Sequence, residues 1–182
     1  YEYISTEDDM TKVFVNERSE FFAVANDAKI QITFDAAKID SYRLIGYENR
    51  VLSNEDFEND EKDAGEIGAG QTITALYEIV PVAEETASEG PLAVFDFRYK
   101  KTLGAESIPL SLDVIMPEEV SSEFDFAAGV AAYGMILRDS PYKGNADFDM
   151  ACELAQSGLS FDPFGYRADF VDIIKAAKKL AE

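Results

Sequence analysis

The sequence predicts an α+β chain: an antiparallel, sandwich-like β region of about five to six strands, then three helices, with one more helix at the N-terminus. Two observations predict this. Apolar and polar residues alternate with a period of two in runs between residues 29 and 115, and after Pro117 the period changes to 3.6. A third observation sets the scale. The chain has 182 residues, 47% of them apolar, enough for a domain with a real core.

Residues 1–4 read as a short β-like segment. Thr6 or Ser5 then offers an N-cap hydroxyl, and Glu7, Asp8 and Asp9 suit a first turn, where the helix dipole favours anions. Met10, Val13, Phe14 and Glu17 follow at helical spacing. In 29–34, Ile30, Ile32 and Phe34 alternate with polar residues, as in a half-buried strand. Residues 42–48 read as a second strand. Residues 72–81, with Ile73, Ala75, Tyr77 and Ile79 on one face, read as a third. In 93–100, Val94, Asp96 and Arg98 alternate with Phe95, Phe97 and Tyr99, which makes one face aromatic. In 107–115, Ile108, Leu110, Leu112 and Val114 alternate with Ser107, Pro109, Ser111 and Asp113. Residues 52–71 and 83–90 read as long loops.

Beyond Pro117, Ser121 or Ser122 is an N-cap for a helix carrying Phe124, Ala127, Ala128, Ala131, Met135 and Ile136 and stopping near Pro141. Asn145 or Asp147 starts a second helix through Met150, Leu154 and Ala155, closed by Ser157 and Gly158. Asp162 and Pro163 start a third, with Phe170, Val171, Ile174, Ala177 and Leu180 as its apolar stripe. Lys175, Lys178 and Lys179 sit in its last turns, where the dipole favours cations.

Charge narrows the partners. Sixteen Lys and Arg stand against 36 Asp and Glu, a net −20. That field repels phosphate backbones and anionic membrane surfaces, so no nucleic acid is expected as partner. Cations or a basic protein patch are its natural complements, and plain solubility is the competing reading. Histidine is absent, which removes Ser-His-Asp and Cys-His arrangements and His-based zinc sites. Cys152 is the single cysteine, so no internal disulfide forms, and its apolar helical run reads as packing. No run of 18 apolar residues occurs, so no direct membrane insertion is expected. The chain opens at Tyr1 without Met, and is expected to derive from a longer parent.

Residues 54–66 form an acidic loop with alternating oxygen ligands, of the kind calcium takes. Its candidate metal ligands are Asp56, Glu58, Asp60, Asp63 and Glu66. It departs from the EF-hand pattern, because counting from Asp56 the sixth position is Glu61 where the turn needs Gly. A solvated acidic loop is the competing reading. Residues 65–71 hold three glycines, but they lead into a strand rather than open a helix, and no Gly-Lys-Ser/Thr follows. Strand entry or a bulge explains them better than a phosphate cradle. Carboxylate pairs are too common in so acidic a chain to single out a catalytic residue. No cofactor is expected.

Several runs resemble a known family. These are 42–50 (Tyr42, Arg43, Leu44, Ile45, Gly46, Tyr47, Glu48, Asn49, Arg50), 54–57, 62–70 and 74–81, then 126–135, 137–140, 142–144 and 166–170. In order and spacing they resemble the C-terminal region of bacterial YfbK-like von Willebrand factor A-domain proteins, from about Lys29 to the C-terminus. The resemblance implies that residues 1–23 are the last helix of a preceding A domain, 24–117 a sandwich-like region, and 118–182 a helical segment packed on it. It assigns no activity to this region. The Asp-x-Ser-x-Ser motif of the A-domain metal site does not occur here, so no metal ligand is carried over. Relatives implied by it are often exported, so an extracytoplasmic location, in the periplasm or at the cell surface, is expected.

The function expected is a non-catalytic interaction or scaffold module of a larger cell-envelope protein. Its expected surface is Tyr47, Glu48, Asn49, Arg50, Glu55 and Asp56. Its partners are the rest of the parent, meaning the A domain and N-terminal strands that complete the sheet, and an envelope protein. The alternatives are a calcium-binding module of an adhesin through 54–66, and a carboxylate-based hydrolase. On the leading reading, amide replacement of Glu55, Asp56, Asp60 and Asp63 weakens binding and leaves the melting temperature nearly unchanged.

Overall fold

The computed structural model describes residues 4–16, 22–47, 51–82 and 90–181. The chain divides into two compact units, 1–116 and 117–182. As the period change predicts, the architecture is mixed. Among the described residues, six strands form two antiparallel sheets in the first unit, and three long helices build the second.

Helix α1 (Glu7–Thr11) starts with a capping box. The Thr6 hydroxyl accepts from the Asp9 amide at 3.1 Å, and the Asp9 carboxylate accepts from the Thr6 and Ser5 amides at 2.9 Å. These donors, with the Ser5 hydroxyl, lower the Asp9 pKa to about 2. A π-helical turn, Lys12–Asn16, continues it. Residues 1–3 and 17–21 lie outside the described residues, and with them the β-like start and Glu17.

The larger sheet has the order β3-β1-β5-β6, built from β1 (Ala23–Phe34), β3 (Gly65–Gly68), β5 (Ala93–Lys100) and β6 (Ile108–Val114). Strand β1 begins six residues before the alternation starts. The reason is a bulge: Asn26 pairs with Lys100 and Lys29 with Arg98, so Asp27 and Ala28 stand opposite Tyr99 alone. Asp27 takes a left-handed φ of 48°, which a short polar side chain tolerates. The extra residue shifts the alternation by one, and the period breaks there.

Strands β2 (Ile39–Ile45) and β4 (Leu76–Pro81) form a two-stranded ribbon. Gly46 and Tyr47 both take positive φ and end β2, so pairing with β4 starts at Leu76. Residues 72–75, expected in a strand, therefore lie outside it. The segment 52–71, expected to be one long loop, holds two elements. Helix α2 (Asn54–Glu58) is capped by Ser53, whose hydroxyl accepts from the Asp56 amide, and the glycine run becomes β3.

In the second unit, Ser121 caps α3 (Ser122–Leu137) and Asp147 caps α4 (Phe148–Ser157). Helix α5 (Tyr166–Ala181) starts later than Pro163. Asp162 still supplies its end, because its carboxylate accepts from the Arg167 and Ala168 amides. The core is Ala132, Ala151, Ala155, Val171 and Ile174. Small residues let α3 and α4 approach closely: a Cβ built on Gly129 would lie 2.8 Å from the Ala155 amide nitrogen.

Candidate interaction surface

The larger sheet has two unlike faces. On one, Lys29 stands directly opposite Arg98, with Lys100 two residues further along β5. Like charges opposite each other are destabilising unless anions or dipoles meet them. The acidic segment supplies both. Lys29, only 3% exposed, donates to the backbone carbonyls of Asp56 and Asn59. Lys100 donates to the Asp60 carbonyl at 2.8 Å and to the Asp27 carboxylate at 2.6 Å. Arg98 pairs with the Asp60 carboxylate at 3.2 Å, which also accepts from the Ser107 amide and hydroxyl. The second Asp27 oxygen accepts from the Ala64 amide, and Asn26 ties the bulge to the carbonyls of Lys100 and Lys101.

Electrostatics follow the contacts. The Lys100 hydrogen bond holds the Asp27 carboxyl below its ordinary range, against the opposing effect of burial. Hydrogen bonding from Ser107, then Arg98, lowers Asp60. The segment expected to be a free acidic loop is thus clamped to the sheet by its carbonyls and by Asp60.

The candidate metal ligands go to separate partners. Asp60 faces Arg98 and Ser107, while the Asp56 carboxylate lies 3.7 Å from Lys62. Glu58, Asp63 and Glu66 are exposed. Among the described residues, no group of three or more Asp, Glu or Cys is arranged to hold a metal ion. Three of the expected interaction residues, Tyr47, Glu55 and Asp56, are among the described residues. Tyr47 is a left-handed residue whose hydroxyl donates to the Thr74 carbonyl, and Glu55 is exposed on α2. Glu48, Asn49 and Arg50 lie outside the described residues.

The other face is apolar. Cross-strand rows run Ile30–Phe97–Leu110, Ile32–Phe95–Leu112 and Phe34–Ala93–Val114. Along β5 the rings of Phe95, Phe97 and Tyr99 stack at 6.4 and 5.5 Å. The β2–β4 ribbon leans on one end, with Tyr42 and Tyr77 ring centroids 4.4 and 5.5 Å from Phe34. Between ribbon and sheet lies an apolar pocket of about 210 Å³ lined by Ile32, Phe34, Tyr77, Ile79, Leu92, Ala93 and Val114. The side toward β6 is open: Leu110 is 52% exposed and Leu112 67%. Ile115 and Met116 extend the exposed apolar run past the end of the strand. Among the described residues nothing pairs with the outer edge of β6. The alternation in β5 and β6 was legible; the strand order that lines up their apolar residues was not.

This is an α+β region with a clamped polar face and an open apolar one. The family described as "Uncharacterized protein YfbK, C-terminal" matches residues 19–180, and the chain belongs to it. The chain is similar to the "Uncharacterized protein YfbK" of Escherichia coli (strain K12), 38% identical over 97% of this chain and 34% of the relative. It therefore spans about a third of the length of that relative. No solved structure matches.

Proposed function

We propose that this chain is a non-catalytic interaction module of a larger von Willebrand factor A-domain protein of the cell envelope, and that it binds through the apolar face of its larger sheet. One observation carries the reading: the contrast between the two faces. The cations of the polar face are already met by the chain's own carbonyls and carboxylates. The apolar face leaves Leu110 and Leu112 exposed beside an edge that no strand pairs among the described residues. The resemblance, rather than any feature of the fold, supports the A-domain and envelope parts of the reading.

The test is a calorimetric titration of the parent protein's remaining part into this chain. A 1:1 complex is expected, weakened at least about tenfold by Leu112→Asp and little by Glu55→Gln with Asp56→Asn. Loss confined to the charge variant would move the interface to the acidic segment. Absence of heat at tens of micromolar, an order of magnitude at which such contacts register, would remove the proposal.

A further inference from the structure

We infer that the outer edge of β6 is completed by a β-strand from outside this chain, supplied by the parent protein, whose apolar side chains extend the Ile32–Phe95–Leu112 face. The inference rests on the interaction-module reading and names the form of the contact.

Four observations converge. First, β6 pairs with β5 in unbroken register from Ile108 to Val114, so its outer edge is straight and carries no bulge. Natural edge strands are usually blunted by bulges, lysines or prolines. Here only Pro109, near one end, does so, and among the described residues no strand pairs with the outward backbone groups of residues 110–114. Second, the two strands outside the larger sheet, β2 and β4, pair with each other. Among the described residues no strand is left to fill the edge. Third, Leu110 and Leu112, next to that edge, are the most exposed side chains of the three apolar rows. A strand laid on β6 would bury them along one side and satisfy the backbone in the same step. Fourth, the chain spans about a third of its relative, and the family is described as the C-terminal region. Two thirds of such a protein is therefore available as a covalently linked partner, which binds at high effective concentration. A second copy of this chain is a poorer occupant, because each copy carries a charge of −20.

Hydrogen–deuterium exchange of residues 110–116 tests this, in this chain alone and within the parent protein. In an edge strand half the amides bond inward and the other half point outward. The outward amides should exchange freely in the isolated chain and be slowed by roughly 100-fold or more in the parent. Leu112→Asp in the parent should restore fast exchange, while the melt of the isolated variant stays near that of the original chain, since Leu112 is mostly exposed. Equal exchange in both forms overturns the inference. If the remaining part still binds this chain while β6 stays unprotected, the strand is wrong and the module reading survives. If it neither binds nor protects, both fail. Protection in the isolated chain together with a dimer mass by light scattering assigns the edge to a second copy and also overturns the inference.

Discussion

Lys100 and Asp27 are about nine-tenths enclosed and form an ion pair at 2.6 Å, largely screened from water. Removing one partner leaves the other buried and unpaired, so Lys100→Met should destabilise the first unit by about 3 kcal/mol. Lys100→Met with Asp27→Asn should recover much of that loss, as chemical denaturation of single and double variants will show. The same pair sets the acid response. Asp27 titrates below its ordinary value of 3.8, so the stability it contributes is complete above that pH. It is lost as pH falls through the lowered value in the folded state. Asp60, lowered by Ser107 and Arg98, acts in the same direction. Fluorescence or circular dichroism between pH 5 and pH 2, a range of this order about the carboxylate pKa, should show an unfolding step that Asp27→Asn makes shallower. The expectation that Asp60 is replaceable without cost does not fit this geometry. Asp60→Asn should lower the melting temperature and speed amide exchange across residues 56–64, whereas Glu55→Gln should do neither.

At the scale of elements, the α3–α4 crossing depends on Gly129, where a methyl group would meet the backbone of Ala151 and Ala155. Gly129→Ala should cost about 1–3 kcal/mol despite the better helix propensity of alanine, read as a lower melting temperature of the second unit. The same elements show what the sequence made legible. Strand β5 follows from its period alone, and the caps Thr6, Ser121 and Asp147 are each one of the two candidates that polar spacing offers. Each is a local signal. What escaped is non-local. The bulge at Asp27 extends β1 past the break in alternation. The turn at Gly46 and Tyr47 shortens β4 through its partner. Strand β3 exists only because β1 lies beside it. The acidic segment illustrates the limit at a candidate site. Its carboxylates were visible in the sequence, but the cations that meet the segment, Lys29 and Lys100 at its carbonyls and Arg98 at the Asp60 carboxylate, come from strands 27 to 40 residues away, a separation set by pairing order rather than by local spacing.

For the whole molecule, the charge of −20 is spread over a surface that repels copies of itself. On the proposed reading, what covers the open face of the sheet is less acidic, or is chain already tethered beside it. Binding to the folded form raises stability by mass action, in proportion to the logarithm of ligand concentration over Kd. The most direct test is the melting temperature of this chain, followed as the remaining part of the parent protein is added. The account predicts a rise that grows with concentration and is lost in Leu112→Asp; a melting temperature that stays constant across the titration would contradict it.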